Sequence, residues 1–397
     1  MNFNQYIENG EYYFSLADAI IFLLFATSVL YLFLFALKSL KKKRNKYSEA
    51  EEYYRFAVLI PAYKEDGIIL NTVESFMQQK YPKEQYDVIV ISDQMKENTL
   101  QKLTELSAKV VKITREESSK AYALQQGMLY IEEKKLKYDV VVILDADNLV
   151  KEHYLHDLNN AFYSGCSAVQ THRVAKNKNT SVATLDAVSE EINNSIFRRG
   201  HTALGFSSSL IGSGMAFEYD IFSEYVHKLD SVGEDKQLEL HLLRNYVYVE
   251  YLEKTYTYDE KVKKSSQFYR QRRRWVFSQF HNLFMGLPYL PKAIFSGNWD
   301  YCNKIFQWAM PPRIILLGCI TIIALIMTSI QWNLAIKWWA LLGLLGFTFA
   351  LAIPDYLVNG KLIKALLKLP FLFILMFLNL FRMKGADKAF IHTEHDE

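Results

Sequence analysis

Cysteine is almost missing from this chain. Cys166, Cys302 and Cys319 are scattered over 397 residues with no CxxC pair, which excludes a disulfide framework and a cysteine-rich zinc site and points to a reducing compartment. Charge of one sign is lacking too. The 46 Lys plus Arg meet 43 Asp plus Glu, a net charge of +3, so a nucleic-acid partner is not expected. P-loop, dinucleotide-fingerprint and metalloprotease patterns do not occur, nor do internal repeats or low-complexity linkers. His172, His201, His241 and His281 lack metal-ligand spacing and read as structural. Apolar residues are abundant: 50% of the chain is hydrophobic and 15% aromatic. Mean hydropathy is nevertheless −0.04, as results when membrane helices are averaged with a polar domain. Removing roughly 80 residues of apolar runs leaves about 300, enough for one large or two small soluble units.

Ser15 to Leu37 is a run of 23 residues with one charge, Asp18, long enough to cross a hydrocarbon core of about 30 Å as a helix. Its acidic N-terminal flank argues against a cleaved leader. The exit carries Lys38, Lys41, Lys42, Lys43, Arg44 and Lys46, which places the following segment in the cytoplasm by the positive-inside rule. Three further apolar runs, Ile314 to Ile330, Leu334 to Ile353 and Leu362 to Phe381, predict C-terminal membrane helices. The last is basic on both sides, so a span and a re-entrant hairpin both stay open. Trp299, Trp308, Met310, Pro311, Pro312 and Arg313 suit a membrane interface. Four regions follow: residues 1–46, a first helix with its basic flank; 47–260, a cytoplasmic domain; 261–312, interfacial amphipathic helices; and 313–397, about three membrane helices with a polar tail.

Between Phe56 and about Tyr258, short β-rich apolar runs alternate with helical periodicity, the pattern of βαβ units around a mainly parallel sheet. Strands are predicted at Phe56 to Pro61, Val88 to Ser92, Val110 to Thr114 and Val140 to Leu144, with helices at Gly67 to Gln79, Lys96 to Ser107 and Ser118 to Glu133. Such sheets bind ligands beyond the carboxyl ends of their strands, which directs attention to Ala62 to Asp66, Asp93 and Asp145 to Asn148.

The run Val140 to Leu144 ends in Asp145-Ala146-Asp147. Two carboxylates so placed suit Mg2+ or Mn2+, hard cations that keep substrate phosphates in their shell. Asp93 ends an earlier strand and is suited either to a base or ribose or to capping the helix that follows. Gly233-Glu234-Asp235 precedes a predicted helix, so its acids either cap or act as a base on an acceptor hydroxyl. Gln271-Arg272-Arg273-Arg274-Trp275 lies in a stretch, Lys261 to Trp275, with seven basic residues and no acid. Arginine forks fit diphosphate and a Trp face fits a sugar ring, while a helix on anionic lipid is the plainer alternative.

Taken in order, these motifs resemble a membrane-embedded family 2 glycosyltransferase with a GT-A fold, the group that includes cellulose, chitin and hyaluronan synthases and NodC-like enzymes. The resemblance covers about Phe56 to Trp275 and implies an α/β, Rossmann-like cytoplasmic domain with transmembrane helices at both ends. Donor contacts are implied for Pro61, Ala62, Tyr63, Glu65, Asp93, Lys120, Asp145, Ala146, Asp147, Gln271 and Arg274, with Asp147 and Asp145 as ligands of Mg2+ or Mn2+. Gly212, Ser213, Gly214, Glu234 and Trp275 fall to the acceptor, and Asp235 to the base. Two motifs depart from the pattern: Gly233 stands where relatives carry Thr, and Ser92 and Gln94 flank Asp93 where relatives carry an acid and a Gly. The implied reaction is inverting transfer from a UDP-sugar, at a bacterial inner membrane, to a growing β-linked polysaccharide. Single-sugar transfer to a lipid is the alternative, and the few C-terminal runs favour it or a homo-oligomer. A catalytically silent nucleotide-sugar-binding subunit is the remote third reading, opposed by the intact acids.

Overall fold

The alternating pattern of the first strand sets up the core. In β1 (Phe56–Tyr63) the side chains of Phe56, Val58 and Ile60 join one buried cluster and those of Ala57 and Leu59 another, so the sheet is covered on both faces. The computed structural model describes residues 3–41, 47–114, 119–230, 233–262 and 265–381. Lys42, Lys43, Arg44, Lys46, Ser118, Lys263, Lys264, Arg382, Lys384, Lys388 and the polar tail lie outside the described residues.

The chain enters through helix α1 (Phe3–Ser39) and then alternates: β1, α2 (Ile69–Phe76), β2 (Tyr86–Asp93), α3 (Glu97–Glu105), β3 (Lys109–Ile113), α4 (Lys120–Glu133), β4 (Val140–Ile143). All four predicted strands and all three predicted helices form here, within a few residues of their expected ends. Beyond them come β5 (Leu149–Val150), α5 (Tyr154–Tyr163), β6 (Ala168–Ala175) and α6 (Ser181–Asn193), which runs through a π-helical stretch, Asn194–Gly200, into α7 (His201–Ala203). Next are β7 (Met215–Glu218), α8 (Tyr219–Val226), α9 (Glu234–Arg244) and β8 (Val249–Asp259).

The eight strands lie in the order β3-β2-β1-β4-β7-β6-β8-β5. The β1–β2, β1–β4, β2–β3 and β6–β8 pairings are parallel, whereas β4–β7, β6–β7 and β5–β8 are antiparallel. The sheet is therefore mixed, parallel in the half that sequence periodicity reveals and antiparallel where β7 is inserted. Helices α2, α3 and α5 cover one face; α4, α8 and α9 cover the other.

After β8 come α10 (Ser265–Gly286), α11 (Leu290–Phe295), α12 (Trp299–Ala309), α13 (Arg313–Ile330), α14 (Trp332–Ala352), α15 (Gly360–Leu366) and α16 (Leu369–Phe381). Three helices are long and apolar enough to cross a membrane: Tyr12–Ser39 within α1, α13 and α14. Asp18, the charge in the first run, is buried and paired with Lys337, and it accepts a 2.8 Å bond from the Trp338 indole. Charge so deep in an apolar helix is tolerated when paired. The last apolar run is broken, with α15 and α16 bent by 49°. Its two ends touch α6 and α10. Ala365 packs with Val182 and Leu185 of α6, and the Asn379 amide donates to the Tyr269 carbonyl of α10 at 3.3 Å.

Candidate active site

The carboxyl end of β4 turns sharply because Asn148 closes it: Asn148 N–H donates to the Asp145 carbonyl at 3.0 Å, and Asp145 N–H to Asn148 Oδ1 at 3.1 Å. That turn projects the two acids. Asp147 accepts from Asn148 Nδ2 at 3.0 Å and from the Glu260 backbone N–H at 2.8 Å, so β8 fixes its direction. A third carboxylate, Asp259 at the end of β8, joins them, with oxygens of Asp145, Asp147 and Asp259 all within 4.8 Å of one another. Hard oxygen donors gathered this closely fit a divalent cation.

Three carboxylates at this spacing repel, and cations offset them. Asp259 accepts from Arg173 at 2.6 Å and from Lys261 at 2.9 Å. Burial works against its ionisation, yet the two cations outweigh that and hold its carboxyl well below the usual range,. Lys120, the first residue of α4, pairs with Asp145, donates to the Gly212 carbonyl at 2.7 Å and stands 3.9 Å from Glu234 Oε1. Burial opposes its charge, but Asp145 and Glu234 raise its affinity for the proton.

At the start of α9, Gly233 occupies the cap position, and Asp235 Oδ1 accepts a first-turn bond from Lys236 N–H at 2.9 Å. Both acids face the cleft, in the first turn, where the helix dipole favours negative charge. Burial pushes the Glu234 carboxyl up to about 7, against Lys120 and with Asp235 adding to the rise. The glycine at Gly233 has a steric cause: a Cβ there would lie 1.7 Å from Ser278 Oγ of α10. Gly212 adopts φ +79°, and a Cβ on it would stand 3.8 Å from oxygens of both Glu234 and Asp235.

Asp93 also faces the cleft. It is buried, and neither carboxylate oxygen has a hydrogen-bond partner among the described residues. It does not cap α3. Asp66 does so, accepting from Lys96 N–H at 2.9 Å and Thr99 Oγ1 at 2.6 Å. Lys64 and Gln94, just after β1 and β2, both hold left-handed φ near +55°, a strained conformation that clusters at functional sites.

One cleft of about 1030 Å³ joins these parts. Pro61, Ala62, Tyr63, Glu65, Asp93, Lys120, Asp145, Ala146, Asp147, Gly212, Glu234, Asp235, Gln271, Arg274 and Trp275 all line it. Ser213 and Gly214 do not: Ser213 is fully buried and shares a hydrogen bond with Asn148, and Gly214 lies against Thr171 and Thr257. They form the support behind the wall. Residues that sequence reasoning passed over are Asp259, Arg173 and Lys261; the only signal available was an acid at a strand end, far along the chain from Asp145. The cleft also reaches the apolar helices, where Leu32 of α1, Leu316 of α13 and Met376 of α16 line it.

A family model described as "Glycosyltransferase like family 2" matches residues 54–278. A curated relative from Methanococcus voltae, dolichyl N-acetyl-alpha-D-glucosaminyl phosphate 3-beta-D-2,3-diacetamido-2,3-dideoxy-beta-D-glucuronosyltransferase, is 23% identical over 207 residues, 47% of this chain and 61% of the relative. The chain thus spans about three fifths of that relative's length. Among solved structures, the mannosyltransferase PcManGT from Pyrobaculum calidifontis, in complex with GDP-Man and Mn2+, superposes with a TM-score of 0.52 at 14% identity, covering 85% of this chain and 97% of that one. With a family match over more than half its length and a mixed sheet of GT-A type, the chain belongs to glycosyltransferase family 2.

Proposed function

We propose that the protein transfers a sugar, with inversion, from a nucleotide sugar to a hydroxyl of an acceptor carried by a membrane lipid. One observation carries the reading: the cleft lined by Asp93, Asp147 and Asp235 is lined also by Leu32, Leu316 and Met376 of the apolar helices α1, α13 and α16. Apolar side chains of those helices, in the same cleft as the carboxylates, suit an acceptor that is anchored in lipid. The Methanococcus relative, named for a lipid-linked acceptor, supports the same class. UDP is the proposed carrier, on the resemblance of the motifs.

In this reading the unpartnered carboxylate of Asp93 accepts hydrogen bonds from the base or ribose. Asp145 and Asp147, with Asp259 beside them, hold Mg2+ or Mn2+, which when bound neutralises charge on the departing diphosphate. Mn2+ in the PcManGT structure supports a divalent ion. Arg274 faces the same leaving group and stabilises the charge that develops on it. Asp235 takes the proton of the attacking hydroxyl, worth roughly 10²–10⁴ in rate. Gln271 and Trp275 shape the pocket, and Glu234 stands next to the acceptor.

The proposed topology has α1, α13 and α14 crossing a bacterial inner membrane, the catalytic domain cytoplasmic, and α10 to α12 lying at the interface. Processive synthesis of a β-linked polysaccharide is the second reading. Trp275 on the cleft wall favours it, as an aromatic face on which a product ring can rest,.

The test is turnover by the full chain in lipid nanodiscs with Mn2+ and a panel of UDP- and GDP-sugars, with and without added membrane lipid extract. We expect nucleotide release that depends on lipid, a product one sugar heavier, and loss of rate in EDTA. Asp235→Asn should lower the rate about 10³-fold with nucleotide binding retained. A ladder of long products without lipid would select the second reading, and full turnover by Asp235→Asn would remove the base assignment.

A further inference from the structure

The membrane end of the cleft carries a second cluster of charge that sugar transfer does not require. Asp186 and Ser189 stand one turn apart on α6, where side chains are neighbours. Asp186 accepts from Arg272 of α10. Ser189 accepts twice from Arg313 Nη2, 3.2 Å to its carbonyl and 3.1 Å to its hydroxyl. The two guanidinium groups are thereby fastened to one helix face, and both line the cleft. Arg313 has no carboxylate within ion-pair distance among the described residues, and its Nη1 is buried without a hydrogen-bond partner. Arg272 leaves its Nε buried and unpartnered as well, its face resting 4.4 Å from the Trp275 ring.

The neighbouring cations, by contrast, are paired. Arg198 and Lys261 share Glu190, and Lys261 and Arg173 share Asp259. Arg173, Arg198, Lys261 and Arg272 are thus each paired with Asp259, Glu190 or Asp186, and of these five cations Arg313 alone has no ion pair among the described residues. Charge without a counter-ion is costly to bury, so the unpaired Arg313, with its unpartnered Nη1, suits an anion from outside the chain. Paired guanidinium forks match phosphate oxygens. Next to them the cleft is apolar, through Leu32, Leu316 and Met376, which suits a hydrocarbon chain leading away from that phosphate.

We infer that Arg313 and Arg272 form an anion subsite for the phosphate or diphosphate that joins the acceptor sugar to its membrane lipid. The acceptor class is then a lipid-phosphate-linked sugar, whose phosphate lies on the arginines while its free hydroxyl points to Asp235. The inference rests on the proposal that the acceptor comes from the membrane. The donor's own diphosphate has the same chemistry, but its expected partners are Arg274 and the ion held by Asp145 and Asp147.

The experiment is binding to the full chain in nanodiscs, with farnesyl phosphate and farnesol as probes and UDP with Mn2+ as a parallel ligand, read by tryptophan fluorescence. The wild type should prefer farnesyl phosphate over farnesol by about tenfold or more, the size of a charge-assisted contact. Arg313→Gln is the first variant, because it strands no carboxylate. It should erase most of that preference and leave UDP affinity within about twofold. Arg313→Lys should recover part of the preference, since charge alone draws phosphate. The paired variant Arg272→Gln with Asp186→Asn removes the second fork without leaving a lone buried acid, and should act in the same direction. Equal binding of the two probes by the wild type, or an undiminished preference in both variants, overturns the subsite. A parallel loss of UDP affinity in folded Arg313→Gln, judged by an unchanged unfolding temperature, assigns the arginines to the donor and overturns it too. A phosphate preference in a protein that transfers no sugar to any lipid would leave the subsite standing and remove the proposed function instead.

Discussion

Glu234 is the residue whose chemistry departs furthest from its sequence expectation. It was expected beside the acceptor, with a cap as the alternative; the structure gives it neither a cap role nor an ordinary acidity. Burial lifts its carboxyl from 4.5 to about 7 even with Lys120 3.9 Å away. The sign follows from proton counting. Between pH 4.5 and 7 the folded chain keeps this proton while the unfolded chain releases it, so stability falls as pH rises through that window and the loss is complete above it. The size at pH 8 is on the order of 3 kcal/mol, at 1.36 kcal/mol for each tenfold change in acidity. Glu234→Gln removes the term. Its unfolding temperature relative to wild type should therefore climb from pH 4.5 to 7 and level off above, measured by thermal unfolding in detergent. A flat difference across that range would return Glu234 to ordinary acidity.

At the scale of elements, β1 to β4 and α2 to α4 were legible because each buries an uninterrupted apolar run or stripe, and burial on both sheet faces demands such runs. The second half was not. β6 reads Ala-Val-Gln-Thr-His-Arg-Val-Ala, and its polar members are buried because they bond one another: Thr171 to Thr257 and the Gly214 carbonyl, His172 to Glu191, Arg173 to Asp259. Pairing of this kind is long-range and leaves no periodic trace. The same reason hid Asp259, which joins Asp145 and Asp147 only when β8 crosses to them. The Gly at position 233, a departure from the family pattern, was visible in sequence but its cause was not, since that cause lies on α10. A Cβ at Gly233 would come within 2.8 Å of Ser278 Cβ as well as 1.7 Å of its Oγ, so Gly233→Ala must push α9 and α10 apart. Overpacking of this sort costs roughly 1–3 kcal/mol. Ser278→Gly alone should cost about 1 kcal/mol as a helix glycine. Combined, the two should cost less than their sum, because the glycine makes room for the new methyl. Strict additivity in denaturation of the four proteins would mean that α9 and α10 do not press on each other here.

For the molecule as a whole, the open question in the sequence was the last apolar run, basic on both sides. A helix that crosses cannot have both flanks inside, but one that dips and returns can. The contacts supply the physical ground for the second reading. Leu362 and Ala365 of α15 are buried, Ala365 against α6, while Asn379 near the end of α16 bonds to α10. Both helices they touch line the cleft through Asn193 and Gln271, so both ends of the bent pair sit at the catalytic side. Tyr356, just before the pair, also reaches that side, donating to Glu191 at 2.8 Å. On the proposed topology, the positive-inside rule applied to the two basic flanks, Lys361 and Lys364 before and Arg382, Lys384 and Lys388 after, puts positions 359 and 388 in the compartment of the catalytic domain,. In a background with Cys166, Cys302 and Cys319 replaced by Ser, single cysteines at positions 359 and 388 should resist a membrane-impermeant maleimide in intact cells and react after permeabilisation. Labelling of position 388, but not 359, in intact cells would make α15 and α16 one crossing helix. It would also remove the hairpin from the apolar end of the cleft, where Met376 of α16 packs with Ile315 of α13 on the path proposed for the acceptor's lipid.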